Sequence, residues 1–455
     1  MFSSAFVVRS TAGVLHGAGH EFGSVSVDSR TLEAGALYVA LIGERHDGHD
    51  FAAAAVERGA TGVLTARRLS LPAGVCQIVV PDTLVALQAL AAAHRARFAG
   101  PVVAITGSNG KTTTKGFAAG MFAAAYGEDA VLATRGNLNN HIGVPLTLLE
   151  LRPRHRVAVV EMGMNHFGEI ALLTGLARPQ AALITNAGPA HLEGVGSLAG
   201  VAKAKGEIFE GLQPDGMAIL NRDDAFYAYW HVIARDHRQI SFGFGAEAQV
   251  RGRILPNGEL EATTPRGVFS LRLPLPGQHN ALNALAVIAV GEAFALDHDA
   301  IARGIAGARV AAGRLERLAL AGGVLVIDDS YNANPASMLA SIALLAAEPA
   351  PRFLVLGDMA ELGAHTKAGH RSVAEAALAS DIEFVLTCGP LMRNAFTDAA
   401  GRPGTVVAHF ASHEALTTAL LPLVRAGGTV LVKGSRSSAM ERVVRGLEAA
   451  IGRRV

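Results

Sequence analysis

Residues 107–113, Gly107-Ser108-Asn109-Gly110-Lys111-Thr112-Thr113, combine the groups that hold and polarise a polyphosphate. Small residues let backbone N–H groups converge on an anion, and a helix opening at the lysine adds its dipole. Gly107 and Gly110 tolerate backbone angles and close approaches that side-chained residues resist. Lys111 suits the β- and γ-phosphates, and the Thr112 hydroxyl suits Mg²⁺. The loop departs from a strict Walker A, because Ile105 stands five positions before Gly110. An apolar run at 102–105 precedes it and hydroxyl residues follow, so it belongs at a strand–helix junction. The expectation is a nucleoside triphosphate site built from Gly107, Ser108, Asn109, Gly110, Lys111, Thr112 and Thr113.

Other residues are placed to complete that chemistry. Glu161 ends the apolar run 157–160, where a carboxylate could share Mg²⁺ with Thr112 and two phosphates; a strand-end cap or salt bridge is the competing reading. His191 and Lys205 follow in polar stretches; from pattern alone a lone histidine is more often structural and a lone helix lysine more often solvated. Asn280 and Asn283 share one helix face and could read a base or ribose, or Asn280 could cap the helix. Arg314 suits phosphate oxygens, or a plain surface. Asp329 stands in the polar burst Asp328-Asp329-Ser330-Tyr331-Asn332-Ala333-Asn334-Pro335, a candidate for ribose hydroxyls or a magnesium water. The glycines at 194, 196 and 200 imitate a dinucleotide fingerprint with one residue too many and are set aside.

The elements that must position these groups read as α/β. Apolar runs at 102–105, 157–160, 182–185, 324–327, 353–356 and 429–432 each end in polar residues. Such runs, separated by helical patterns, predict parallel sheets covered on both faces, with ligands beyond the strands' carboxyl ends. Residues 83–98 read as an amphipathic helix bearing Leu84, Leu87, Leu90 and Ala91, and Ala99-Gly100-Pro101 breaks the pattern after it. With 455 residues, half of them hydrophobic, the chain divides into 1–98, 99–312 and 313–455, three α/β domains around a central cleft. No apolar stretch is long enough to span a membrane, and no secretory signal is evident. Two distant cysteines suit reduced thiols in cytoplasm, and a net charge of +1 without basic runs argues against nucleic acid. Nothing in that charge calls for more than a monomer.

Together, several segments resemble the Mur ligases, the ATP-dependent amide-forming enzymes of peptidoglycan precursor synthesis. They are the loop 107–113, Gly136-Asn137-Leu138-Asn139-Asn140-His141-Ile142-Gly143-Val144-Pro145, the Glu161 strand, His191 with Lys205, His279 to Asn283, Gly313-Arg314, the Asp329 burst and residues 355–363. Asp28-Ser29-Arg30 and residues 43–51 resemble that family's nucleotide-sugar-binding domain. The resemblance spans essentially the whole chain. It implies a central phosphate-loop ATPase domain, flanked by an N-terminal UDP-sugar-binding domain and a C-terminal Rossmann-like domain. It further implies ATP at 107–113 with Asn283, Arg314 and Asp329, one Mg²⁺ on Thr112 and Glu161, and a second helped by His191. Lys205 lies at the offset where MurE-type relatives carry a carbamylated lysine. Ser29, Arg30, Asp47, Gly48 and His49 would lie near the uridine nucleotide, and Asn139 and Asn140 near the muramyl group.

The implied reaction joins D-Ala-D-Ala to UDP-N-acetylmuramoyl-tripeptide through an acyl phosphate, with Lys111, His191 and Lys205 in catalysis. The C-terminal domain would close over it, on hinges near 99–101 and 311–314. Within the family, a MurE-like or folylpolyglutamate-synthase-like acceptor is the alternative, although the Asp-Asn-Pro-Arg motif selecting diaminopimelate is absent. A non-catalytic nucleotide switch is the alternative outside it.

Overall fold

The computed structural model describes residues 2–309, 312–397, 405–424 and 427–454; position 311 of the expected second hinge lies outside them. Among the described residues the strands form three large sheets and one short two-stranded pair. The first sheet orders Val14–His16, Cys76–Val79, Gly62–Thr65, Leu37–Val39 and Val25–Ser26, parallel except for its Val14–His16 edge. Helix Thr83–Ala96 begins where Asp82 accepts hydrogen bonds from the Leu84 and Val85 N–H groups. It ends short of the expected Phe98, because Arg97 and Phe98 donate to His94 and Arg95 carbonyls in tighter, three-residue turns. Arg95 is buried and donates to the carbonyls of Ala177, Phe98 and Arg178, which pins the connection to the second sheet.

That sheet runs Gly267–Leu271, Leu260–Thr264, Val250–Ile254, Arg238–Gly243, Met217–Asn221, Ala181–Ile184, Val102–Thr106, Val157–Glu161, Val131–Ala133. Its parallel strands are dry on both sides. Val103, Ile105, Val157 and Val159 enter one apolar cluster, while Val102, Ala104, Ala158 and Val160 enter another. The chain leaves Val102–Thr106 towards one edge and returns to its other side at Ala181–Ile184, so the phosphate loop sits where the connections diverge. Residues 250–271 add two antiparallel pairings at the far edge, beyond the all-parallel expectation. Buried Val250 and Gly252 alternate there with exposed Arg251 and Arg253, the pattern of a sheet with one wet face.

The third sheet orders Glu316–Ala319, Val324–Asp329, Gly428–Lys433, Arg352–Gly357, Phe384–Cys388 and Val406–Phe410, antiparallel only at Glu316–Ala319. Three adjacent strands therefore deliver Asp329, Lys433 and the 357–363 loop to one end. Ile105 and Phe117 share an apolar cluster with Leu315, Ile327 and Met338, so the second and third domains are joined by a continuous core. Among the described residues no helix is long and apolar enough to cross a membrane. Cys76 and Cys388 are buried free thiols.

Candidate active site

The phosphate loop is braced from the neighbouring strand end. Ser108 and Asn109 donate their N–H groups to the carbonyl and side-chain oxygens of Asn186, at 2.9 and 3.0 Å. Those two amides are therefore engaged inside the protein, although both residues line the cleft. The donors left for an anion are the first N–H groups of helix Lys111–Tyr126, which a helix leaves without internal acceptors. Glycine is required at both ends of the loop. A side chain on Gly107 would meet Thr185 Oγ1 at 1.8 Å, and one on Gly110 would meet Asn283 Oδ1 at 2.3 Å, with both residues at positive φ. Asn283 is thus pressed against the loop. Lys111 Nζ donates to the Gly107 carbonyl at 2.7 Å, and burial pushes its ammonium below the usual lysine range.

Behind the loop lies a buried charged layer. Glu161 accepts a hydrogen bond from Asn139 Nδ2 at 2.9 Å through Oε1, while its buried Oε2 has no hydrogen-bond partner among the described residues. Lys115 Nζ stands 3.6 Å from that oxygen. A buried carboxylate oxygen with spare acceptor capacity fits a hard cation, and magnesium sites typically draw one or two carboxylates from protein and the rest from phosphates and water. No group of three or more His, Cys, Asp or Glu able to hold a metal occurs among the described residues, so protein ligands alone would not fill such a site. Lys205 is 1% exposed, and its side-chain amine has no hydrogen bond or ion pair among the described residues. Burial, with a smaller contribution from the Lys111 charge, drives its pKa well below the usual lysine range. That shift favours the neutral amine, the form that can act as a nucleophile towards CO₂.

The third domain supplies the opposite wall. Arg314 lies over the Tyr331 ring at 4.2 Å and donates to Thr112 Oγ1 at 3.1 Å. Asn334 caps helix Pro335–Ala346 and also donates to Asn109 Oδ1 at 2.6 Å. Asp329 Oδ2 receives Lys433 Nζ at 2.5 Å and the Ser341 hydroxyl at 2.8 Å. Glu361 Oε2 lies 2.9 Å from His191 Nδ1 without hydrogen-bond alignment, and this contact holds its carboxyl below the usual range. Between the walls is a cavity of about 680 Å³, a size suited to a nucleotide. It brings together Ser108, Asn109, Gly110, Lys111, Thr113, His191, Asn283, Arg314 and Asp329. Gly107, Thr112, Glu161 and Lys205 lie outside its lining.

The other expected site residues are engaged locally. Arg30 forms a forked pair with Asp28, whose carboxyl is lowered to about 2, and Ser29 lies between them in sequence. His49 is buried, with Nδ1 2.5 Å from Asp47 and Nε2 accepting from the Ala66 N–H, while Asp47 also receives Arg67. Gly48 is buried beside them. This triangle shapes its loop instead of presenting free groups. Asn140 accepts from Ile142 and Gly143 N–H groups at the start of helix Gly143–Leu149. Sequence reading passed over Lys115, Tyr331, Asn334 and Lys433 as site residues. Lys115 had one available signal, its place one helical turn beyond Lys111.

Three family models match consecutive parts of the chain: Mur ligase family, catalytic domain at 21–95; Mur ligase middle domain at 105–291; and Mur ligase, glutamate ligase domain at 313–436. The chain is 45% identical over 443 residues to the UDP-N-acetylmuramoyl-tripeptide–D-alanyl-D-alanine ligase of Escherichia coli (strain K12), covering 96% of each. A crystal structure of MurF from Acinetobacter baumannii superposes with a TM-score of 0.89 at 33% identity, covering 98% of this chain and 99% of that one. MurF ligase from Thermotoga maritima in complex with ADP gives 0.78 at 26% identity, over 94% and 97%.

Proposed function

Because the chain belongs to the Mur ligase family, we propose a reaction for its cleft in terms of its own residues. The activity is the ATP-dependent, ADP-forming addition of D-Ala-D-Ala to UDP-N-acetylmuramoyl-tripeptide in peptidoglycan synthesis. What supports the residue-level reading is the cavity that draws Lys111 and His191 from one domain and Arg314 and Asp329 from another.

A carboxylate is a poor acyl donor because an oxide would have to leave. Transfer of the γ-phosphoryl makes an acyl phosphate, from which phosphate departs on attack by the acceptor amine. Lys111 and the free N–H groups of its helix neutralise charge growing on the transferred group. Arg314, pre-oriented by Tyr331, clamps phosphate oxygens from the opposite side. Asn283 and Asp329 face the nucleoside. Mg²⁺ held by Thr112 and Glu161, with a second ion near His191 and a carbamylated Lys205, would supply further charge neutralisation on the phosphates. Arg314–Thr112 and Asn334–Asn109 contacts hold the third domain against the loop, and tighter closure with substrates would keep water from the acyl phosphate. In this reading Ser29, Arg30 and the 47–49 loop serve the uridine side, and Asn139 and Asn140 the muramyl group. Domain limits at 98/99 and 312/313, a monomeric state and a cytoplasmic setting complete the reading.

ADP release measured with muramyl tripeptide alone, and then with D-Ala-D-Ala, glutamate or diaminopimelate, tests it. Stimulation by D-Ala-D-Ala alone is expected; release independent of any amine would sink the ligase reading. Arg314→Met should lower kcat/KM for ATP by about 100-fold, and Arg314→Lys should recover little, because an ammonium lacks the planar fork. Initial rates at varied ATP check this.

A further inference from the structure

The two domains that meet over the phosphate cavity also form a second, open hollow of about 340 Å³. Pro189, Leu192 and Leu198 line it from one side, and Pro335, Leu362 and Ala368 from the other. Leu362 lines both spaces, and its chain neighbour Glu361 lines the phosphate cavity, so the chain carries Glu361 next to the residue the two spaces share.

Charge on the cavity wall singles out the same residue. Of its lining carboxylates, Asp329 is engaged by Lys433 and Ser341, while the Glu361 side chain remains 56% exposed. Its contact with His191 lacks hydrogen-bond alignment. A carboxylate serving only to fix an imidazole would be expected to take the aligned position. Glu361 and His191 also both hold left-handed backbone angles, φ +61° and +57°, which side-chained residues rarely adopt.

The acceptor in the ligase reaction brings an ammonium nitrogen that must reach the phosphate cavity, and two methyl groups that do not carry chemistry. A largely exposed carboxylate beside an apolar hollow matches that combination. Resting on the ligase reading above, we propose that Glu361 receives the acceptor's ammonium group and the adjoining hollow receives its methyl groups. His365 lies on the hollow's exposed rim, towards which the dipeptide's carboxylate would point.

Steady-state kinetics of the full-length enzyme test this with two substitutions. Glu361→Gln should raise KM for D-Ala-D-Ala at least about tenfold, with KM for ATP and for muramyl tripeptide, and the Mg²⁺ requirement, within about twofold of the parent. Ala368→Leu, which narrows the hollow, should reduce the preference for D-Ala-D-Ala over D-Ala-Gly by about tenfold. Unchanged acceptor KM and preference in both variants would overturn the proposal. A raised Mg²⁺ requirement in Glu361→Gln with unchanged acceptor KM would also overturn it, assigning Glu361 to holding His191. Parent enzyme that ignores D-Ala-D-Ala altogether would remove the ligase reading, and this proposal with it.

Discussion

Lys205→Met is expected to lose turnover by about 100- to 1,000-fold and, in bicarbonate-free buffer, to melt at a higher temperature than the parent. Both effects come from one buried amine. Lys205 is enclosed, its side-chain amine has no hydrogen bond or ion pair among the described residues, and burial drives its pKa far below the usual lysine range. Between that lowered value and the ordinary one, the unfolded chain binds one more proton than the folded chain. Stability of the parent therefore rises with pH through this window and is lower on its acid side. Methionine titrates in neither state, so the variant's advantage should be small near the ordinary lysine pKa. It should widen as pH falls and level off below the folded value. Thermal melts across that range measure it directly. If the amine is carbamylated, added bicarbonate should raise the parent's melting temperature and leave Lys205→Met unmoved. In the Lys205→Ala variant, formate or acetate should restore part of the turnover while nucleotide binding stays intact throughout. Undiminished turnover in Lys205→Ala would refute a carbamate role.

What the sequence made legible follows from which forces are local. Residues 102–106 and 157–161 are buried on both faces, so they had to be uninterrupted apolar runs, and their polar ends marked the cleft. The phosphate loop was readable because glycines, lysine and threonine are consecutive. Residues 250–271 were not anticipated as strands, because one face is wet and alternation over five residues is a weak signal. Lys115 acquires meaning only beside Glu161, which a different strand delivers. Asp47 and His49 illustrate the opposite case. Their residue types suit a ligand, yet the fold spends them on each other and on Arg67. Glu361 was legible as part of a motif, but its partner His191 belongs to another domain, and only docking of the two reveals the contact.

Docking also depends on a charge pair that holds the third domain's cleft-facing edge. Asp329 and Lys433 are register partners on adjacent parallel strands, both at most 9% exposed, with Nζ and Oδ2 2.5 Å apart. Lys433 additionally donates to the Asn332 carbonyl, which anchors the turn leading to Asn334 and its bond to Asn109. Lys433→Met leaves a buried carboxylate with only the Ser341 hydroxyl, at a cost that should reach about 3 kcal/mol. Asp329→Asn strands the ammonium and should cost a similar amount. Removing both charges leaves neither ion unpaired, so Asp329→Asn/Lys433→Met should be less destabilised than the sum of the single variants by about 1–3 kcal/mol. Urea titrations of the four proteins give that coupling. Strict additivity would mean the pair contributes nothing as a pair. Because the anchored turn carries Asn334 to the phosphate loop, Lys433→Met should also weaken ATP binding at temperatures where it remains folded. The Asn334→Ala variant, which keeps the buried pair, separates that loss of docking from loss of stability.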